Sequence, residues 1–277
     1  MYFVFASLFF SHIYAQVELN SERTMKLLEA MKMMGLTDCS YWTAWYITQS
    51  LYNIPICMVI IAAGYLMKIN FFLFASFSSL FLLLFVTGQL LISMFFFFSS
   101  YARVNIATYG NAIFVLILCC AFFGTFTFPH LFLNTGSSAY KSPAVGIYLY
   151  NNSYADFFHY MPTYGFGRIS YDMILATLPT YNSTLETKWQ DPPGFYFSNM
   201  FEHKYNATEL KIYRTIPSPF SYLVLMTMYS AGFLFLAWYC NNIFGGRYGK
   251  RQSCCFCFFP AYWGYVSANA RDNLQVD

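Results

Sequence analysis

The stretch ERTMKLLEAMKMMGLTDCSYWTAW, Glu22–Trp45, decides how the chain is read. It carries most of the charge of the first hundred residues, in a protein of 277 residues that is 58% hydrophobic, 23% aromatic and 10% charged. Glu22, Lys26 and Glu29 share one helical face, with Glu22 and Lys26 at the favourable i,i+4 spacing. Leu27, Met31 and Met34 form an apolar stripe at helical spacing, with Leu28 beside it. Asn20 or Ser21 suits the N-cap of a helix over 20–36. Gly35 suits its C′ position with Leu36 as the hydrophobic partner, and Thr37 or Asp38 then caps the next helix. The pattern predicts an amphipathic helix lying along a surface, then a sharp turn into a second helix.

Outward from this stretch the chain is written for lipid. Phe (33 residues) and Tyr (25) far exceed ordinary usage, and several apolar runs reach the roughly 20 residues needed to cross about 30 Å of hydrocarbon. A large soluble core would need those runs broken by polar positions. The expected class is therefore an all-α, polytopic, integral membrane protein. The net charge of +3 is small and dispersed, which gives no footprint for nucleic acid.

The expected organisation is as follows. Residues 1–15 are a partial transmembrane helix, since no basic segment precedes them as in a signal peptide. Residues 16–39 hold the amphipathic helix on the cytoplasmic side. Residues 40–128 hold three spans, over 40–67, 71–98 and 106–128; Trp42, Trp45 and Tyr46 form an aromatic belt where the first begins, and Pro55 falls at its middle. Residues 129–218 form an exoplasmic loop, in which 157–179 reads as a re-entrant helical hairpin broken by Pro162, Gly165, Gly167 and Arg168. Residues 219–241 are the last span, and 242–277 a cytoplasmic tail. The sequons at Asn151, Asn182 and Asn206 all fall in the long loop, placing it outside as a glycosylated segment. The basic residues of the short loops agree with that orientation.

The chemistry is sparse. His12, His130, His159 and His203 have no ligand-like spacing and read as plain polar residues, so no metal site and no catalytic residue is expected. The near absence of ionisable residues in the spans argues against an ion-coupled carrier or a charged filter. GGRYGKR (Gly245–Arg251) is a decoy for a phosphate-binding loop: the first glycine position holds Phe244 and the Ser/Thr position holds Arg251. No nucleotide site is expected in the chain. The eight cysteines avoid the long polar loop, which excludes a disulfide framework there. The Cys254, Cys255, Cys257 cluster reads as apolar cysteines before it reads as a palmitoylation site.

The opening stretch resembles the cytoplasmic helix in membrane domains of A-subfamily ATP-binding-cassette (ABC) transporters, the lipid exporters. Glu22, Glu29, Met31, Met34, Gly35, Leu36, Tyr41, Trp42 and Trp45 match that pattern; Arg23 is conservative, and Thr24 departs from a second Glu. MPTYGFGR (Met161–Arg168) resembles the family's segment before the last span. FGGRYG (Phe244–Gly249) and FPAYW (Phe259–Trp263) resemble its exit sequence, with Gly245 in place of the usual Pro.

The resemblance implies a type V (ABC2-type) exporter transmembrane domain, incomplete at its N-terminus and without the ATPase domain. It implies that Glu22, Arg23, Lys26, Glu29, Met31, Met34 and Gly35 couple the spans to an ATPase domain. The apolar stripe would face the membrane domain, and Glu22, Lys26 and Glu29 the ATPase or lipid headgroups. ATP and Mg would bind on a missing or separate ATPase domain, and the partners would be membrane lipid, that domain and a second transmembrane domain. The alternative is an accessory or degenerate membrane protein without transport activity.

Overall fold

The computed structural model describes residues 2–25, 27–101, 162, 164–177, 180–181, 189–190, 192, 194–201 and 218–244. The expected span at 106–128, the tail beyond residue 244 and all three sequon asparagines, Asn151, Asn182 and Asn206, lie outside them.

Helix α1 runs over Tyr2–Thr24 and α2 over Leu27–Met33. Helix α3 covers Asp38–Leu66, and a short α4, Asn70–Leu73, leads into α5, Phe77–Tyr101. Helix α6 is Tyr164–Thr177, and α7 is Pro219–Phe244. Besides these, the described residues hold a two-stranded antiparallel ladder, β1 (Thr180–Tyr181) with β2 (Trp189–Gln190), and a 3-10 turn over Phe197–Met200.

Three of these helices are long and apolar enough to cross a membrane: Ser40–Leu66, Phe77–Ser100 and Pro219–Ile243. They fall on the apolar runs read from the sequence, except that the second, expected over 71–98, begins only at Phe77, after the separate α4, and runs on to Ser100. The 25 residues of α5 reach about 37 Å at the α-helical rise, against about 30 Å of hydrocarbon. The three differ in surroundings. Most of the apolar stretch of α5 is buried, 72% against 28% for α3 and α7. Helix α5 is therefore the central post, packed by α1, α3 and α7. Lipid tails are as apolar as leucine, so what holds α5 there is close packing and interhelical hydrogen bonding rather than exclusion of water.

The packing is aromatic and tight. Phe9 of α1 stands 5.4 Å from Phe95 of α5, Phe97 of α5 5.8 Å from Phe233 of α7, and Phe5 of α1 5.6 Å from Phe166 of α6, all between ring centroids. At Gly88 the close approach of α3 depends on the missing side chain. A Cβ there would meet the Asn53 amide at 2.3–2.5 Å. Asn53 donates across the same contact to the Phe85 carbonyl, at 3.1 Å.

The far end of the bundle, away from α2, is closed by chain distant in sequence. The Phe195 N–H donates to the Phe74 carbonyl and the Ser76 N–H donates to the Phe195 carbonyl, both at 2.8 Å. This makes a single parallel bridge between Ala75 and Phe195 just before α5 begins. The expected re-entrant hairpin over 157–179 is described from residue 164 onward, as one helix. Tyr164–Ser170 of α6 is buried throughout and packs on α7. Arg168, one of the residues that interrupt the apolar run here, pairs with Asp172 one turn on at 3.5 Å.

The boundary near the N-terminus differs from the sequence reading as well. The partial helix over 1–15 and a separate helix starting at 20 are a single helix through Thr24. No Pro or Gly lies between residues 2 and 24. Leu19, fully buried against Tyr41, Trp42, Phe96 and Ala237, ties the polar half of the helix into the bundle. The amphipathic reading of 20–36 is thus divided between the end of α1 and the short α2.

Candidate functional site

The site built by Glu22–Trp45 is an elbow joining α1 to α3 through α2. Its C-terminal turn follows from local chemistry. Gly35 has φ +95°, a left-handed conformation that costs glycine nothing. The Leu36 N–H then reaches back to the Met31 carbonyl at 3.1 Å, the six-to-one bond of a Schellman closure. Met31 and Leu36 both pack against the cluster of Leu19, Tyr41, Trp42, Ile92, Phe96 and Ala237. Thr37 is the N-cap of α3: φ −80°, ψ 145°, its hydroxyl accepting from the Ser40 N–H at 3.4 Å.

The polar contact of the elbow is Glu22. One carboxylate oxygen, Oε2, accepts from the Tyr41 hydroxyl at 2.9 Å and from Trp45 Nε1 at 3.2 Å. Tyr41 and Trp45 stand one turn apart on α3, so the pair grips the end of α1 from one face. Charge-assisted bonds are the stronger kind, and this one is partly withdrawn from water. The resemblance implied that Glu22 would meet an ATPase domain or headgroups. The structure turns it inward as the tie between α1 and α3. Of the expected aromatic belt, Trp42 is buried, edge-on to Phe96 at 5.5 Å, while Trp45 and Tyr46 are half-buried.

The methionine stripe also divides. Met31 packs inward, whereas Met33 and Met34 are 84% and 80% exposed, beside exposed Met25 and Leu27. The elbow therefore presents a protruding apolar edge, not a stripe folded wholly against the membrane domain. Met is flexible and polarizable and fills irregular grooves. Lys26 lies outside the described residues, and for Arg23 and Glu29 only the helical backbone is described.

Sequence reasoning missed a second cluster. His12, read as a plain polar residue, is 1% exposed beside Asn53 of α3. Ser50 of α3 donates to Gln89 Oε1 of α5 at 2.9 Å, and Ser230 of α7 donates to the Gln89 carbonyl at 3.2 Å. The Gly88-Gln89 pair was the available signal: the sequence marks it as the polar interruption of an apolar run.

An apolar three-helix core with a central post, a polar seam and a charged elbow at one end defines an integral membrane protein of the helical-bundle class. The chain belongs to the ABC-2 family of transporter proteins, whose description, "ABC-2 family transporter protein", matches residues 1–241. It is similar to "ABC transporter A family member 1" of Dictyostelium discoideum, 23% identical over 268 residues that are 95% of this chain and 28% of the relative. It is similar also to "Glucosylceramide transporter ABCA12" of Mus musculus, 25% identical over 249 residues, 87% of this chain and 8% of that protein. "ABC transporter A family member 8" of Dictyostelium discoideum is 34% identical over 95 residues, 34% of this chain and 11% of the relative. The chain thus spans less than a third of the length of each of these relatives. An ABC2-type transmembrane domain is the fold that the sequence resemblance implied.

Proposed function

We propose that this chain is the membrane-embedded part of an ATP-driven lipid exporter, and that the elbow is where an ABC ATPase domain engages it. The observation that carries the reading is the division of labour at the elbow. Glu22 ties the end of α1 to α3 and the Gly35 turn joins α2 to α3, while Met33 and Met34 are left pointing out at 80% exposure or more. A rigid mount with an apolar, adaptable tip suits a part that passes movement from an ATPase to the spans. Mg-ATP would bind on the ATPase domain, and a second transmembrane domain would complete the lipid path. The mouse relative is named as a glucosylceramide transporter, which supports a lipid as cargo.

The test is transport by the chain joined to an A-family ATPase domain and reconstituted in vesicles with a fluorescent lipid. ATP-dependent movement of the lipid between leaflets is expected. Met34→Asp is expected to lower it at least tenfold, about 1.4 kcal/mol of lost contact, with an unchanged melting temperature because Met34 touches little of the bundle. Lipid movement that is undiminished in Met34→Asp would remove the elbow from the coupling role. No ATP-dependent movement in the parent protein would favour the accessory reading.

The orientation belongs to the same proposal: the elbow faces the cytoplasm and the loop over 129–218 faces outward. Expressed in a secretory pathway, the protein is expected to lose its glycan mass when Asn151, Asn182 and Asn206 are all changed to Gln. A sequon inserted after residue 250 is expected to stay unmodified. Glycan added at that inserted site reverses the orientation.

A further inference from the structure

Four helices meet at one level of the bundle, and the groups they bring there are polar. Helix α3 contributes Gln49, Ser50 and Asn53, within little more than one turn. Helix α5 contributes Gly88 and Gln89, α7 contributes Ser230, and α1 contributes His12. Part of this seam is satisfied internally. Ser50 donates to Gln89, Asn53 donates to the Phe85 carbonyl, Ser230 donates to the Gln89 carbonyl, and the Cys57 thiol lies 3.6 Å from Asn53 Oδ1.

The rest is not. His12 lies beside the Asn53 amide, yet neither ring nitrogen is in hydrogen-bond geometry with a protein group among the described residues. Gln49 Oε1 and Gln89 Nε2 are likewise buried without a partner there. His12 is 1% exposed and Gln49 is 6%. In hydrocarbon each such group costs several kcal/mol, so a bundle of this kind keeps them only where something else completes them.

The four open atoms define what fits. A neutral imidazole offers one donor and one acceptor, Gln49 Oε1 accepts up to two bonds and Gln89 Nε2 donates up to two. Acceptors and donors are balanced, and the seam, among the described residues, holds no carboxylate, lysine or arginine. A phosphate or an ammonium group would enter without a countercharge, at the full cost of desolvation. A hydroxyl is donor and acceptor at once and carries no charge. We infer that the seam between α1, α3 and α5 is an intramembrane binding site for hydroxyl groups, held by His12, Gln49 and Gln89. Those hydroxyls come from enclosed water or from the headgroup of a polyhydroxylated lipid. The inference needs only that these helices lie in lipid, and so stands apart from the transport proposal.

The experiment uses the full chain labelled with 13C,15N-histidine in phosphatidylcholine vesicles, with and without a glucosyl diacylglycerol. Solid-state NMR reads magnetisation passing to the His12 ring from water protons and from sugar protons. His130, His159 and His203 are replaced by Gln to leave His12 as the reporter, and His12→Gln in the parent chain confirms the assignment by loss of the signal. Transfer from water in both vesicle types, abolished in D2O, assigns the hydroxyls to enclosed water. Transfer from sugar protons in the glycolipid vesicles alone assigns them to a headgroup. A His12 ring that receives magnetisation from neither source overturns the site. Should the triple variant not reconstitute, the difference spectrum between parent and His12→Gln gives the same reading.

Discussion

Gly88→Leu is expected to destroy the bundle, so that the variant elutes as aggregate from a detergent column on which the parent chain is monodisperse. A Cβ at residue 88 already falls 2.3–2.5 Å from three atoms of the Asn53 side chain. Asn53 is fully buried and has no free direction in which to move. Displacing it breaks its bond to the Phe85 carbonyl and leaves an amide unpaired in an apolar interior. Overpacking alone costs about 1–3 kcal/mol per site, and an orphaned buried amide adds about 1–3 kcal/mol. Together, at about 2–6 kcal/mol, these reach the lower end of the stability of a typical domain, about 5–15 kcal/mol. The control is Gly232→Leu on α7, where a Cβ meets nothing within 4 Å and normal elution is expected. Equal behaviour of the two variants would show that the α3–α5 contact at Gly88 does not hold the fold.

Glu22→Ala is expected to free the end of α1 from α3 while the three spans stay packed. Both contacts converge on one carboxylate oxygen, from Tyr41 at 2.9 Å and Trp45 at 3.2 Å. Bonds to a charged group contribute about 1.5–3 kcal/mol, and the elbow's partial exposure to solvent argues for the lower end of that range. The measurement is amide hydrogen exchange over residues 16–30, expected to quicken by about tenfold or more for a local loss near 1.4 kcal/mol. Exchange over α5 should stay as it was. Tyr41→Phe removes one of the two donors and is expected to give an intermediate rate. Unaltered exchange in Glu22→Ala would return Glu22 to the outward-facing role that the family resemblance implied.

The spans and the turn between α2 and α3 were legible because their causes are local. Long apolar runs give α3, α5 and α7, and Gly35, Leu36 and Thr37 are read from capping chemistry that extends only a few residues. The partner of Glu22 was not legible. It lies 19 and 23 residues away on another helix, and a helical wheel of 20–36 shows only that Glu22 shares a face with Lys26 and Glu29. The continuity of α1 through Gln16–Ser21 was hidden for a related reason. Polar residues there look like a boundary until Leu19 is seen inside the cluster of Trp42 and Phe96. His12 is the sharpest case. Its burial depends on Asn53 standing opposite Gly88, a meeting of three segments that no spacing announces. Arg168 interrupts the apolar pattern of its segment, and its burial is made possible by Asp172, one turn away on the same helix.

The bridge between Ala75 and Phe195 sets a schedule for biosynthesis. The Phe74 carbonyl and the Ser76 N–H, just before the central helix, receive their backbone partners from a residue about 120 positions later in the chain. A ribosome adding about 5–20 residues per second needs roughly 6–24 seconds to supply Phe195. For most of that interval α3 and α5 are already made, with two main-chain groups at the start of α5 open. Whatever shelters nascent membrane helices must cover that turn for as long, and a chain cut between residues 101 and 194 leaves it without its cover.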